Sequence, residues 1–330
     1  MNHYHIYSDS IPSVISLCAK TPAMQRLKNV GMNCGCEYTS FPRFQGLKPY
    51  SRYEHSLGVA LIVWNFTGDI AQSVSGLLHD ISTPVFAHVI DFLHGDYLIQ
   101  EATEKDTEEF ISASIELQEI FKQNGIVTEA VKDYHRYPIA DNDSPKLSAD
   151  RLEYTIGNSI NFGVCTVEEA SAIYADLTVG TNEEGASELM FRTRETAKSF
   201  AEASLKCSKV YVSDEDRYAM QFLSELLSEA IDGKKISEED LYSTEPALIE
   251  KLIKDDKLAE EWVRFKNLKN IYSSDNPQKS GKWRQVYAKK RYIDPFVVGN
   301  GRVSGIYPDY NEKIKDYLAS GQDKWICGTV

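Results

Sequence analysis

The stretch SGLLHDISTPVFAHVID, residues 75–91, constrains the fold more than any other. It is apolar enough to be buried, yet it carries His79-Asp80 side by side and then His88 and Asp91. Imidazole and carboxylate groups are costly to bury unless they bind something. The chain must therefore fold so that this segment lines a polar centre within an apolar interior.

Most of the sequence reads as helix. RYEHSLGVALIVWNF (52–66) has a broad apolar face, and Thr67-Gly68 ends it. Asp69 suits an N-cap for IAQSVSGLLHD (70–80). Ser82-Thr83 before Pro84 signals another start and predicts a helix over 84–93, with His88 and Asp91 three apart on one face. Further helices are expected near 101–122, 147–158, 166–177, 192–206 and 214–231, with two short ones in 237–253. After about residue 270 the sequence mixes β-formers with Gly, Asn and Pro, the pattern of strands joined by turns. The expected architecture is mainly α: an N-terminal segment (1–20), a helical-bundle core (21–260) and a small C-terminal α+β appendage (261–330).

A net charge of −13 over 330 residues argues against general nucleic-acid or anionic-membrane binding. No window approaches the roughly 20 apolar residues that a bilayer span needs. The opening MNHYHIYSDS lacks the basic start and apolar core of a signal peptide. Six cysteines without CxxC spacing read as reduced thiols, so a cytoplasmic location is expected. Against this acidic background Lys279, Lys282, Arg284, Lys289, Lys290 and Arg291 follow one another with no acidic residue between. That basic face is expected against the helical body, directed at a substrate mouth or at a subunit boundary of a homo-oligomer. A solvated edge strand blunted by lysines is the plainer alternative.

His55 on one helix, His79-Asp80 on the next and Asp150 in SADRLEY make a ligand set for a divalent metal. Imidazole nitrogen and carboxylate oxygen suit Mn, Fe, Zn, Ni, Co or Mg, and two His with two Asp leave positions open for water and substrate. A metal so held lowers the pKa of bound water and supplies a hydroxide nucleophile. Arg52, three residues before His55, suits a bidentate phosphate contact beside such an ion.

The segments RYEHSLGVA, LLHDISTPVFAH and ADRLEY, in that order, resemble the HD superfamily of metal-dependent phosphohydrolases. The resemblance is closest to the branch containing the dNTP triphosphohydrolases, and it runs from TPAMQRLKNVG (21–31) to about residue 255. It implies an HD-domain helical bundle with one metal on His55, His79, Asp80 and Asp150. It also implies Arg52 on substrate phosphate, Gln25 near the sugar, Tyr154 at the aromatic position past the last ligand, and His88 with Asp91 in proton transfer.

The chain departs from that pattern at named positions. Where the superfamily typically reads HDIGHxPFSH, Ser82-Thr83 stand in place of Gly-His. Gln100 stands where the triphosphohydrolases often place a second histidine, so Thr83 and Gln100 are expected on the substrate side. Gly157-Asn158 replace the usual Arg-Asp. The expectation is a phosphohydrolase of a nucleotide or another small phosphorylated metabolite, slow in releasing intact triphosphate. The alternative is a nucleotide-binding regulatory protein that keeps the fold and metal with weakened turnover.

Overall fold

The computed structural model of the chain describes residues 3–95 and 106–330. Helices α1 (Ser13–Ala19) and α2 (Pro22–Arg26) lead to a central pair, α3 (Arg52–Thr67) and α4 (Ile70–Leu78). Then come α5 (Val89–Leu93), α6 (Thr107–Ala113), α7 (Ile115–Asn124), α8 (Ala149–Asn161) and α9 (Val167–Ala175). A hairpin of β1 (Leu177–Thr181) and β2 (Ser187–Phe191) precedes α10 (Arg194–Tyr211), α11 (Asp214–Asp232), α12 (Glu245–Leu252) and α13 (Asp256–Lys266). The chain ends with β3 (Asn270–Ser274), β4 (Phe296–Val297), β5 (Gly301–Arg302), α14 (Val303–Ile306), α15 (Pro308–Ala319) and β6 (Trp325–Thr329). The protein is mainly α, with two small sheets among the described residues.

Local chemistry fixes the central pair. Ser51 and Glu54 form a reciprocal capping box at the start of α3, and Gly68 at φ 65° closes it. Asp69 then accepts from the amides of Ala71 and Gln72 and starts α4. From His55 to Val63 every α3 residue is buried, as expected for a helix with apolar surface on all sides. Gly76 lets α4 approach closely, since a Cβ there would meet Val59 at 3.2 Å. That approach brings the end of α4 to the face of α3 that carries His55.

The helix expected over 84–93 is shorter, and α5 begins only at Val89. Thr83 does not cap it, because its hydroxyl donates to Asp80 Oδ1 at 2.8 Å. Phe86 and Ala87 take left-handed φ values of 58° and 43°, and the Val85 amide bonds to Leu241 O. This strained turn carries the chain from Asp80 to His88, a kind of backbone often found at functional sites.

The first sheet has the order β1-β2-β4-β5, with β2 and β4 parallel and the other pairs antiparallel; the second pairs β3 with β6. The sequence pattern does not foreshadow the β1–β2 hairpin, and the tail holds more helix than its turn-rich composition indicates. Between 276 and 295 the only β pairing among the described residues is the isolated bridge Arg284↔Ile326. Two apolar clusters form the core. One gathers around α3, α4, α8 and α10 and takes in Ile293, Val297, Val303, Tyr310 and Tyr317 from the tail. The other surrounds α11 and α13 and includes Phe41, Phe86, Val286 and Ile326. The 260/261 boundary drawn from sequence falls inside α13. No helix among the described residues is long and apolar enough to cross a membrane.

Candidate metal centre

His55, His79 and Asp80 are buried together, with one ligand atom of each lying within 4.8 Å of the others. The His55 and His79 Nε2 atoms are 3.2 Å apart. Asp80 Oδ2 lies 3.8 Å from His55 Nε2 and 3.6 Å from His79 Nε2. Asp150 Oδ1 closes the group from α8, at 3.0 Å from His55 Nε2 and 3.8 Å from His79 Nε2. Three of the four sequence-predicted ligands thus form one tight cluster, and Asp150 approaches its two histidines.

Their other contacts aim these groups at one point. His55 Nδ1–H donates to Glu153 Oε2 at 2.5 Å, and His79 Nδ1–H donates to the Gly76 carbonyl at 2.7 Å. Each histidine is thus held in the tautomer that leaves an Nε2 lone pair facing the centre, the usual outer support of a metal-bound imidazole. Glu153 is fully buried and accepts a second hydrogen bond, from the Tyr50 hydroxyl. Two glycines make room for this pair. A Cβ at Gly58 would lie 2.6 Å from Glu153, and one at Gly157 would lie 2.4 Å from the Tyr50 hydroxyl.

The electrostatics fit a cation. Burial alone would raise the Asp80 carboxyl, but Arg52, His79, His55 and the Thr83 hydroxyl hold it well below the usual carboxylate range. Asp150 is brought down to about 2 against its burial, chiefly by the His55 hydrogen bond. Burial pushes His55 down, yet its hydrogen bonds to Asp150 and Glu153 outweigh that and raise it to about 10. The carboxylates around His55 therefore favour positive charge at this point. Two imidazole nitrogens and two ionised carboxylates offer a divalent cation the same compensation.

The centre opens into a cavity of about 1240 Å³ that is also lined by Arg52, His88, Tyr154 and Asn158. Arg52 lies 3.1 Å from Asp80 Oδ2, and its Nε is buried without a hydrogen-bond partner among the described residues. His88 Nδ1 and Asp91 Oδ2 are 2.8 Å apart, with Asp91 fully buried behind the cavity-facing ring. Other predicted contacts fall elsewhere. Gln25 is not among the lining residues, because its side-chain amide donates to the Ala19 carbonyl at 2.7 Å. Thr83 is fully buried beneath Asp80 and positions that carboxylate. Gln100 lies outside the described residues.

Sequence reasoning assigned no role to Glu153, Tyr50 or Tyr134. Tyr134 lays its ring on His79 at a centroid distance of 4.9 Å. His135, also passed over, lines the cavity with Nδ1 2.9 Å from Asp141 Oδ2. Glu153 carried a local signal, since it sits three residues after Asp150 and so on the same helix face. Tyr50 and Tyr134 carried none.

No family model matches the chain. It is 27% identical over 246 residues to an uncharacterized protein of Bacillus subtilis (strain 168), YdhJ, covering 72% of this chain and 70% of that one. It is 23% identical over 335 aligned positions to the metal-dependent phosphohydrolase cns2 of Cordyceps militaris, covering 96% of this chain and 91% of that one. Two solved structures share the fold at a TM-score of 0.62. One is a hypothetical protein from Aquifex aeolicus, 18% identical, with 97% of this chain and 93% of that one covered. The other is a phosphohydrolase from Bacteroides thetaiotaomicron, 16% identical, with 97% and 96% covered.

Proposed function

We propose that this chain is an HD-domain, metal-dependent phosphohydrolase acting on a phosphoester of a nucleotide or another small phosphorylated metabolite. The observation that carries the reading is the convergence of His55, His79, Asp80 and Asp150 beside Arg52 in a large cavity. The name of the Cordyceps militaris relative supports it. So does the cavity, whose volume of about 1240 Å³ lies above the usual range of small-ligand sites, about 300–1,000 Å³, and exceeds what a bare phosphate fills.

His55, His79, Asp80 and Asp150 hold one divalent ion. Such an ion, when bound, polarises a phosphoryl oxygen and makes water a nucleophile near neutral pH. Arg52 neutralises phosphate charge, and the fixed guanidinium needs no rearrangement as charge develops in the transition state. His88, with Asp91 accepting its Nδ1–H, moves a proton at Nε2 toward the leaving oxygen. Tyr154 bounds the organic part of the substrate. The branch-level features of a triphosphohydrolase are not carried over, because Thr83 is directed at Asp80 and offers no imidazole.

The test is a nucleotide and sugar-phosphate panel assayed for phosphate, pyrophosphate and triphosphate. It is run after chelation and again after Mn²⁺ is restored. Release that vanishes with the chelator and returns with Mn²⁺ supports the reading. Stoichiometric nucleotide binding with no sustained release would favour the regulatory alternative, which the loss of an imidazole at Thr83 supports.

A further inference from the structure

The basic segment of the tail divides in two once folded. Lys282 pairs with Glu261, and Arg284 pairs with Glu225 while covering the Tyr218 ring, all away from the cavity lining. Lys289, Lys290 and Arg291 line the cavity that contains the metal centre. Lys290 is engaged structurally, donating to the carbonyls of Leu318 and Ser320 at the end of α15.

Arg291 differs from the other two arginines in the cavity wall. Arg52 is held by Asp80, and Arg151 by Asn142, Ser148 and Asp141. The Arg291 guanidinium makes no hydrogen bond or ion pair among the described residues, although it is half-buried. A cation there without a partner among the described residues is unexpected in a chain with 49 acidic against 36 basic residues. Its backbone is firmly set on either side. The Ala288 amide donates to Gln322 Oε1, Tyr310 donates to the Ile293 carbonyl, and the Asp294 amide donates to the Pro145 carbonyl. The charge sits near Tyr154, close enough to act on its hydroxyl together with Arg151. Tyr154 is four residues, just over one helical turn, beyond Asp150, roughly 6 Å along the α8 axis.

We propose that Arg291 receives a second anionic group of the substrate, so that the cavity selects metabolites carrying two separated anionic groups over simple phosphomonoesters. The inference rests on the phosphohydrolase reading and deepens it. A substrate phosphate at the metal centre meets Arg52. A second phosphate or carboxylate, at least a helical turn away past Tyr154, meets the Arg291 guanidinium, which has no ion pair among the described residues. A half-buried arginine on backbone held at either side is suited to such recognition, because its planar fork pairs with phosphate or carboxylate.

The experiment compares wild type, Arg291→Gln and Arg291→Lys, with Lys279→Ala as a control for loss of one charge outside the cavity. Two matched substrate pairs are used with Mn²⁺: adenosine 3′,5′-bisphosphate against adenosine 5′-monophosphate, and glucose 1,6-bisphosphate against glucose 1-phosphate. Preference for the bisphosphate in both pairs points to the second anion, whereas preference in the nucleotide pair alone adds base recognition. In Arg291→Gln the ratio of bisphosphate to monophosphate KM should rise at least about tenfold, the size expected of a charge-assisted contact. Arg291→Lys should restore part of it, and Lys279→Ala should leave it alone. An equal KM rise on both members of a pair, or no change, overturns the inference and leaves the phosphohydrolase reading intact. Calorimetric titration of the bisphosphates into the Mn²⁺-loaded proteins gives a readout that does not need turnover. If wild type hydrolyses nothing, the phosphohydrolase reading fails, and bisphosphate affinity that is the same in wild type and Arg291→Gln sinks the Arg291 assignment separately.

Discussion

His55 and His79 face one another through Nε2 atoms 3.2 Å apart, while their Nδ1 protons are directed away, to Glu153 and to Gly76. Two lone pairs at that distance repel unless a cation or a proton lies between them and the acids around them. Asp150 and Glu153, both hydrogen-bonded to His55, favour positive charge there and raise its pKa against its burial. Glu153 fixes the arrangement: without an acceptor at Nδ1, His55 is free to present its other tautomer.

Glu153→Gln keeps a carbonyl acceptor but loses the charge that raises the basicity of His55. It is expected to weaken metal binding by about 10–100-fold, the usual scale for an outer partner of a ligating histidine. Tyr50→Phe should weaken it less, since Glu153 keeps its bond to His55. Competition against a chromophoric chelator measures both. Unchanged affinity in Glu153→Gln would remove the carboxylate from the account of the site.

Asp216 supplies a pH prediction away from the metal ligands. It lines the cavity, and burial pushes its carboxyl up to about 8 despite the Cys36 thiol and Arg217. Folding therefore takes up a proton between the ordinary carboxylate value, about 4, and about 8. The stability tied to this proton is present below that window, falls as pH rises through it, and levels off above it. Asp216→Asn should flatten the decline in urea-denaturation stability between about pH 5 and pH 8. Glu37, raised to about 8 by burial and the Glu245 charge, leaves some slope behind. A variant whose slope equals that of wild type would contradict the assignment.

Much of this was legible locally, and the remainder depended on distant partners. The ends of α3 and the start of α4 follow from Ser51, Glu54, Gly68 and Asp69, all within a few residues of the structure they set. The β1–β2 hairpin was hidden because Glu188, a poor strand residue by composition, is buried against Arg302 from β5. Thr83 looked like a helix cap because nothing in the local sequence shows that Asp80 claims its hydroxyl. Gly157 read as the loss of an arginine from the resembled pattern. In the folded chain it clears the space for Tyr50, whose position depends on packing between residues more than a hundred apart.

The product spectrum should reflect the missing imidazole. Proton transfer by a positioned side chain contributes typically about 10²–10⁴-fold. With Thr83 buried on Asp80, and Gln100 in place of a second histidine, release of intact triphosphate from dGTP should be slow against hydrolysis of phosphomonoesters or diesters. Chromatography of the products after Mn²⁺ addition decides it. Efficient formation of deoxyguanosine with triphosphate would show that these departures leave triphosphohydrolase chemistry intact.

The central claim is that His55, His79, Asp80 and Asp150 hold a divalent metal. Elemental analysis of purified wild type, His79→Ala and Asp80→Ala, each paired with a circular dichroism spectrum, tests it directly. The account predicts close to one transition-metal equivalent in wild type after Mn²⁺ loading and desalting. It predicts a small fraction of that in either variant, with helical signal retained because the apolar faces of α3, α4 and α8 carry the fold. Full metal occupancy in a folded Asp80→Ala protein would contradict it.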